Sequence, residues 1–212
     1  HWANERFPLF DTEVAHYGGL NWHGNFGEYA FLTRLRAEQL RDIGPVLAPH
    51  SAFLLAQGVE TLPFRMQAHV DNARIVAEWL ANDPRVSFVT WAGLEGHPHQ
   101  ERAQKYLPLG PGSVFAFGVR PPGTFDSEAA RLQAARATGE KLIDSMQLAS
   151  HLANIGDART LVIHPGSTTH QQLTPEQLVR AGVPADLIRI SVGLEDPEDI
   201  LWDLDQALTL AT

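Results

Sequence analysis

The sequence predicts an α/β (α+β) domain, with a sheet of about four strands and helices packed on it, preceded by a long helical connector. Two observations carry this prediction. Residues 27–82 show helical spacing of apolar residues, and after residue 85 short strand patterns take turns with helical segments. Such alternation is typical of a sheet covered by helices. We therefore assign residues 1–84 to a loop and connector and residues 85–212 to a C-terminal domain.

The connector contains a loop and three helical segments. Residues 1–25 are aromatic and rich in glycine without a sustained period, which predicts an irregular loop. The stretch EYAFLTRLRAEQLRDI predicts a first helix that ends at Gly44. Ser51 is expected to cap the short apolar segment that follows, and Thr61 to cap the longest helix, which ends at Asn82.

The second domain has four predicted strands, in RVSFVT, SVFAFGV, ARTLVIHP and LIRISV. A helix capped near Asp126 or Ser127 follows the second strand. The stretch LTPEQLVRAG predicts a short helix with Thr174 as its N-cap and Pro175 at its first position. The segment EDPEDILWDLDQALTLA predicts the last helix, whose early acidic residues stabilise its N-terminus.

The composition limits the classes of function. Hydrophobic residues make up 44% of the 212 residues, which is enough for a sizeable core. The net charge of −9 argues against non-specific binding of nucleic acid. No apolar run approaches the roughly 18 to 20 residues of a membrane helix, and no signal segment is recognisable. The absence of cysteine excludes disulfides and cysteine metal ligands, and we expect a cytoplasmic protein.

No metal site or common nucleotide site is predicted. Among ten histidines, His97 and His99 flank a proline, and His164 and His170 lie across a turn. Neither pair has the i, i+4 spacing of a helical zinc motif, so we expect loop histidines that bond to the backbone. The sequence has no GxSxG elbow, no Walker loop and no GxGxxG before a helix.

Arg189 stands at the centre of the last predicted strand. It shares one face with Leu187 and Ser191, whereas Ile188 and Ile190 lie on the other face. The residues alone leave two interpretations open, a solvated strand residue and an anion receptor. The second has a physical basis, because a guanidinium offers a planar fork that fits a carboxylate.

Three stretches carry a resemblance to a known family: SHLANIGDARTLVIHPGSTTHQQL, LIRISVGLEDPEDILWDLDQAL and APHSAFLLAQGVETLPFRMQAHVDNARIVAEWL. They resemble the C-terminal half of the Cys/Met-metabolism family of pyridoxal-phosphate (PLP) enzymes, over essentially the whole chain. The resemblance implies the small C-terminal domain of a fold-type I PLP enzyme, and the third stretch resembles the connector between the two domains.

Within the family, the first stretch is most similar to the sulfhydrylase branch, in which sulfide replaces the acetate of O-acetylhomoserine and gives homocysteine for methionine biosynthesis. Arg159 stands before Thr160, where cystathionine-processing relatives often carry a glutamate. The resemblance implies that Arg189 binds the α-carboxylate of the amino-acid substrate. Thr160 matches the serine or threonine whose neighbourhood assists this binding.

The chain departs from the family in its lysines. Neither Lys105 nor Lys141 stands in the S-x-T-K context of the family's Schiff-base lysine, and both are expected to be solvated helix residues. The family's other PLP-binding residues lie upstream of the matching region. We therefore expect the C-terminal portion of a longer enzyme, inactive alone, whose PLP is bound mainly by an N-terminal portion.

Several alternatives and partners belong to this interpretation. The nearest rivals are the cystathionine γ-synthase and methionine γ-lyase branches of the same family. A rival of another class is a stand-alone, non-catalytic domain that binds amino acids or a protein. The family usually assembles as dimers or tetramers, and the aromatic stretch HYGGLNWHGNF either lies near an active site or interface or packs its own rings.

Overall fold

The computed structural model describes Trp2 and residues 5–212. His1, Ala3 and Asn4, which belong to the predicted N-terminal loop, lie outside the described residues. The chain forms two compact units that divide between Val59 and Glu60. The functional division at residues 84 and 85, expected from the sequence, stays a prediction.

The first unit consists of short elements. They are the 3-10 turns Pro8–Phe10, Ala15–Tyr17 and Gly27–Tyr29, strands β1 (Glu13–Val14) and β2 (Leu20–Asn21), helices α1 (Trp22–Phe26) and α2 (Ala30–Arg34), the π-helical stretch Leu35–Ile43, and helix α3 (Pro49–Glu60). Strands β1 and β2 pair antiparallel. The segment of the predicted first helix is helical but not one α-helix, since a 3-10 turn and α2 continue into the π-helical stretch. It ends, as predicted, at Gly44 in the left-handed region, which glycine adopts without strain. The prediction for Ser51 is wrong, since α3 begins at Pro49 and Ser51 lies inside it.

The aromatic stretch of the first unit packs its own rings. Trp22 is buried and contacts Tyr17 edge-on, with ring centroids 5.4 Å apart. Phe26 stacks on the same indole at 6.1 Å. These contacts match the interpretation in which the stretch packs its own rings.

The second unit contains the main sheet and its helices. Its elements are α4 (Leu62–Asn82), β3 (Val86–Val89), α5 (Gln100–Tyr106), β4 (Val114–Val119), α6 (Glu128–Ser145), β5 (Ser150–His151), β6 (Leu161–Ile163), the 3-10 turn Pro165–Ser167, α7 (Pro175–Arg180), β7 (Leu187–Ser191) and α8 (Pro197–Ala211). The strand order is β3-β4-β7-β6-β5. All neighbours are antiparallel except β5 and β6, which are parallel. The four predicted strands are β3, β4, β6 and β7, and the sheet has β5 as a fifth strand at its edge.

The hydrophobic core lies on one face of this sheet. Helices α4, α6 and α8 contribute Leu80, Leu142 and Leu204, which pack in one cluster with Ile188 and Ile190 of β7. Helix α4 belongs to the connector in the sequence-based division, yet it supplies part of this core. Because successive strand residues point to opposite faces, Arg189 points away from the helix layer.

Two of the predicted helix caps, at Ser127 and Thr174, are confirmed, whereas Thr61 stands before α4 but its side chain makes no capping hydrogen bond. Ser127 accepts a hydrogen bond from the backbone of Ala130 at the start of α6. Thr174 forms a reciprocal capping box with Gln177, and Pro175 occupies the first position of α7. Among the described residues, no helix combines the length and apolarity that a membrane crossing requires.

Candidate functional site

Arg189 is the centre of the candidate site. It lies in the middle of β7, opposite Ala116 of β4 and Ile163 of β6. Its side chain is partly exposed, and its Nη2 donates a hydrogen bond of 3.2 Å to the carbonyl oxygen of Asn154. Within the described part of the chain, Arg189 has no carboxylate partner.

This environment leaves Arg189 able to receive an anion. A guanidinium has about five N–H donors, and the described residues engage the group through the single bond to Asn154. Its strand neighbours Ala116 and Ile163 are apolar, and apolar surroundings strengthen a charge-assisted hydrogen bond. Two parallel bonds to one carboxylate are the arrangement that this group forms best.

Thr160 immediately precedes β6 and is buried, with 1% of its surface exposed. Its hydroxyl donates to Oε2 of Glu195 at 2.8 Å and accepts from the backbone N–H of Gly193 at 2.9 Å. Its own backbone N–H donates to Oε1 of Glu195 at 2.6 Å. The hydroxyl therefore makes two hydrogen bonds within the protein, and we expect Thr160 to affect a ligand through the segment that it holds.

Glu195 has a role that the sequence does not reveal. Residues of this acidic stretch were assigned to the N-terminus of the last helix, and Asp196 does cap α8 by accepting from the backbone of Glu198. Glu195, one residue earlier, instead binds Thr160, which lies 35 residues away in sequence. No local sequence pattern distinguishes the roles of Glu195 and Asp196, because the partner of Glu195 lies in a distant part of the chain.

The loop between β7 and α8, residues 192–196, is also held from helix α4. Nδ1 of the buried His69 is 2.7 Å from the carbonyl oxygen of Val192, so this nitrogen carries the donated proton. The side-chain amide of Asn72 donates to the carbonyl oxygens of Gly193 at 3.2 Å and Glu195 at 2.8 Å. Two residues one helical turn apart thus fix the backbone that follows Arg189.

Asp203 fixes the chain before β5. Its carboxylate is buried and accepts the backbone N–H groups of Gln147, Leu148 and Ala149 at 2.7, 3.0 and 2.8 Å. Sequence reasoning missed this anchor, although a signal was present. Asp203 lies on the apolar stripe of α8 between Ile200 and Leu204, where a solvated carboxylate does not belong.

The histidines singled out in the sequence, His97 and His164, bond to other groups of the protein. Buried His164 lies 2.9 Å from the carbonyl oxygen of Ala185 through Nε2 and 2.8 Å from Oγ of Ser167 through Nδ1. Burial lowers the pKa of its imidazole below the usual value. Nδ1 of His97 accepts the backbone N–H of His99 at 3.2 Å. In the described residues no group of three or more metal-binding side chains comes together.

A sequence profile decides the family. The profile of the Cys/Met metabolism PLP-dependent enzymes matches residues 22–209 of this chain. The chain belongs to the Cys/Met metabolism family of PLP-dependent enzymes. The fold class predicted from the sequence and the family resemblance are both confirmed.

Individual members of the family are similar along nearly the whole chain. A homocysteine/cysteine synthase of Kluyveromyces lactis is 46% identical over 95% of this chain and 45% of its own length. O-acetyl-L-homoserine sulfhydrylase 1 of Thermus thermophilus is 44% identical over 98% of this chain and 46% of its own. The chain therefore spans about half the length of the curated relatives it matches.

A solved structure is also similar to nearly the whole of this chain. It comes from Campylobacter jejuni, is assigned as an O-acetylhomoserine (thiol)-lyase, and carries a pyridoxyl-lysine phosphate. It superposes with a TM-score of 0.79 and 34% identity, over 98% of this chain and 46% of its own. The similarity extends to the fold of the whole matched region.

The chain's own residues do not fit the role of attaching PLP in this family. Lys105 and Lys141, the chain's two lysines, lie on exposed positions of α5 and α6 and on no strand that flanks Arg189. Neither lysine is therefore a candidate to attach the cofactor beside Arg189. The chain's candidate site is therefore an arginine with one hydrogen bond to the described residues, beside a loop that a network of hydrogen bonds holds in place.

Proposed function

We propose that this chain is the C-terminal, substrate-binding part of a PLP-dependent O-acetylhomoserine sulfhydrylase, which converts O-acetylhomoserine and sulfide to homocysteine and acetate. The observation that carries the proposal is Arg189, partly exposed on β7 with one bond to a backbone carbonyl. The names and identities of the relatives support the choice of this branch. The fragment alone is expected to be inactive.

In this proposal Arg189 binds the α-carboxylate of the amino-acid substrate. Two parallel charge-assisted bonds fix both the position and the rotation of the carboxylate, so the amine and side chain of the substrate are presented in one pose. PLP, when bound, supplies the electron-withdrawing chemistry. Thr160 contributes indirectly, because its hydroxyl is used within the protein.

Further features of the intact protein are proposals of the same kind. Residues 85–212 would form the substrate-binding domain, residues 1–84 the connector, and an N-terminal portion would hold PLP. The intact enzyme would be a cytoplasmic dimer or tetramer without nucleic-acid partners. The exposed apolar residues of α3, including Phe53 and Leu55, support a contact with protein, since several large apolar side chains on one helix are normally covered.

The test is a product analysis of the full-length, PLP-loaded enzyme. O-acetylhomoserine would be supplied with sulfide, O-acetylhomoserine with cysteine, and methionine alone. Homocysteine from the first mixture at the highest kcat/KM supports the proposal. Faster formation of cystathionine from the second mixture, or of methanethiol from the third, would instead identify the cystathionine γ-synthase or methionine γ-lyase branch. Turnover in none of them, with amino-acid binding retained, would favour a non-catalytic binding protein.

A further inference from the structure

We infer that Glu195 is a positioning residue for the substrate-binding arginine, an inference that rests on the proposed function. Glu195 itself reaches no ligand in this account. It acts by fastening the segment that carries Asn154, the hydrogen-bond partner of Arg189, to the loop that follows β7. The carboxylate thereby determines where the guanidinium points.

The segment in question is residues 152–159, between β5 and β6. Its residues are mostly exposed and form no helix or strand, so its own backbone bonds contribute little rigidity. Arg189 nevertheless donates to the carbonyl oxygen of Asn154 in its middle. The direction of the guanidinium therefore depends on how firmly this segment is held.

Four hydrogen bonds fasten the end of the segment to the β7–α8 loop. The backbone N–H of Leu194 donates to the carbonyl oxygen of Ala158 at 2.8 Å. Thr160 donates its backbone N–H and its hydroxyl to the two oxygens of Glu195, and the N–H of Gly193 donates to that hydroxyl. Glu195 receives two of the four, and both are charge-assisted and therefore stronger than bonds between neutral groups.

The loop to which the segment is fastened is itself immobilised. Asn72 and His69 of α4 bond to three of its backbone carbonyl groups. Helix α4 in turn packs in the core with β7. The chain of contacts runs from a rigid helix through the loop and Glu195 to Thr160, and along the segment to Asn154.

Removing the Glu195 carboxylate leaves the N–H and hydroxyl of buried Thr160 without their acceptors. Such groups regain partners by turning towards water, which requires the segment to move. The carbonyl oxygen of Asn154 then no longer stands in one place, and Arg189 samples several directions. The loss appears in binding of the carboxylate-bearing substrate and not in binding of sulfide, which has no carboxylate.

The test compares Glu195→Ala and Glu195→Gln with the parent full-length, PLP-loaded enzyme. We expect Glu195→Ala to raise KM for O-acetylhomoserine by roughly tenfold and to leave KM for sulfide unchanged. Glu195→Gln keeps an amide oxygen for the Thr160 N–H and should recover part of the loss. Glu198→Ala is the matched control, because it removes an equally charged, exposed side chain three residues later and should leave both KM values unchanged.

Hydrogen exchange of residues 152–160 gives a second readout that does not depend on turnover. We expect faster exchange there in Glu195→Ala and parent rates in Glu198→Ala. A Glu195→Ala enzyme with parent KM for O-acetylhomoserine, or equal rises in KM for both substrates, overturns the inference. Should the parent enzyme make no homocysteine, the proposed function fails separately, and unchanged exchange of this segment in Glu195→Ala then overturns the inference. If Glu195→Ala does not fold, Thr160→Val, which loses the hydroxyl bonds alone, replaces it with the same expected outcomes.

Discussion

The carboxylate of Asp203 in helix α8 accepts the backbone N–H of Gln147 at 2.7 Å, across 56 residues of sequence. The same carboxylate accepts two further backbone N–H groups, from Leu148 and Ala149. It ties the connection between α6 and β5 to helix α8, and with it the base of the segment that contacts Arg189.

Asp203→Ala should loosen this junction. Three backbone donors lose their acceptor, and each unsatisfied group costs about 1–3 kcal/mol unless water reaches it. We expect hydrogen exchange of residues 147–151 in the full-length protein to become about tenfold to hundredfold faster, on the scale of 1.4 kcal/mol per factor of ten. Asp144→Asn, at an exposed position of α6, is the control and should exchange like the parent. Hydrogen exchange at the parent rate in Asp203→Ala would show that other contacts hold this junction.

His164 should make the second unit sensitive to acid. Burial holds the pKa of the folded imidazole below the value of about 6.5 in the unfolded chain. Between these two pKa values the unfolded chain binds more protons, so stability is full above about pH 6.5 and falls as the pH drops towards the folded pKa. His164→Gln removes this titration.

The measurement is the exchange protection of residues 161–167, corrected for intrinsic rates, at about pH 7.5 and about pH 5.5. The parent should lose protection at the lower pH, and His164→Gln should lose less. His151→Gln, which changes an exposed histidine of β5, should follow the parent. A parent protein with equal protection at both values would contradict the account.

Gly193 should not accept a side chain. A Cβ atom at this position would collide with the carboxylate of Glu195 and with the backbone nitrogen of Thr160. Gly193→Ala therefore has to open the contact between these two residues, at a cost of about 1–3 kcal/mol. We expect a lower thermal midpoint and a raised KM for O-acetylhomoserine, as in Glu195→Ala.

Gly166→Ala is the matched control for this substitution. Its added Cβ would meet the ring of His164 at 3.4 Å, an ordinary contact distance. A Gly193→Ala enzyme with the midpoint and KM of the control would mean that Glu195 and Thr160 separate without consequence.

Local chemistry was sufficient to predict much of the fold. The capping box at Thr174, the cap at Ser127 and the alternating strand around Arg189 depend on residues only a few positions apart. Strand β5 was missed because two residues show no period, and α5 because its seven residues form less than a full amphipathic stripe.

The same limit to local patterns applies to the candidate site. Arg189 could be singled out because a charged residue at the centre of an apolar strand is unusual, and its assigned role came from the family resemblance. Glu195 and Asp203 could not be assigned, because their partners Thr160 and Gln147 lie 35 and 56 residues away and meet them only in the folded chain. Long-range polar contacts leave little trace in a single sequence.

The most direct test of the central claim is Arg189→Lys in the full-length, PLP-loaded enzyme. Lysine keeps the charge but cannot form two parallel bonds to one carboxylate. We expect KM for O-acetylhomoserine to rise about tenfold to hundredfold, which corresponds to the loss of one charged hydrogen bond, while Arg180→Lys on the exposed face of α7 keeps the parent value. An Arg189→Lys enzyme with the parent KM and kcat would contradict the assignment of Arg189 to the substrate carboxylate.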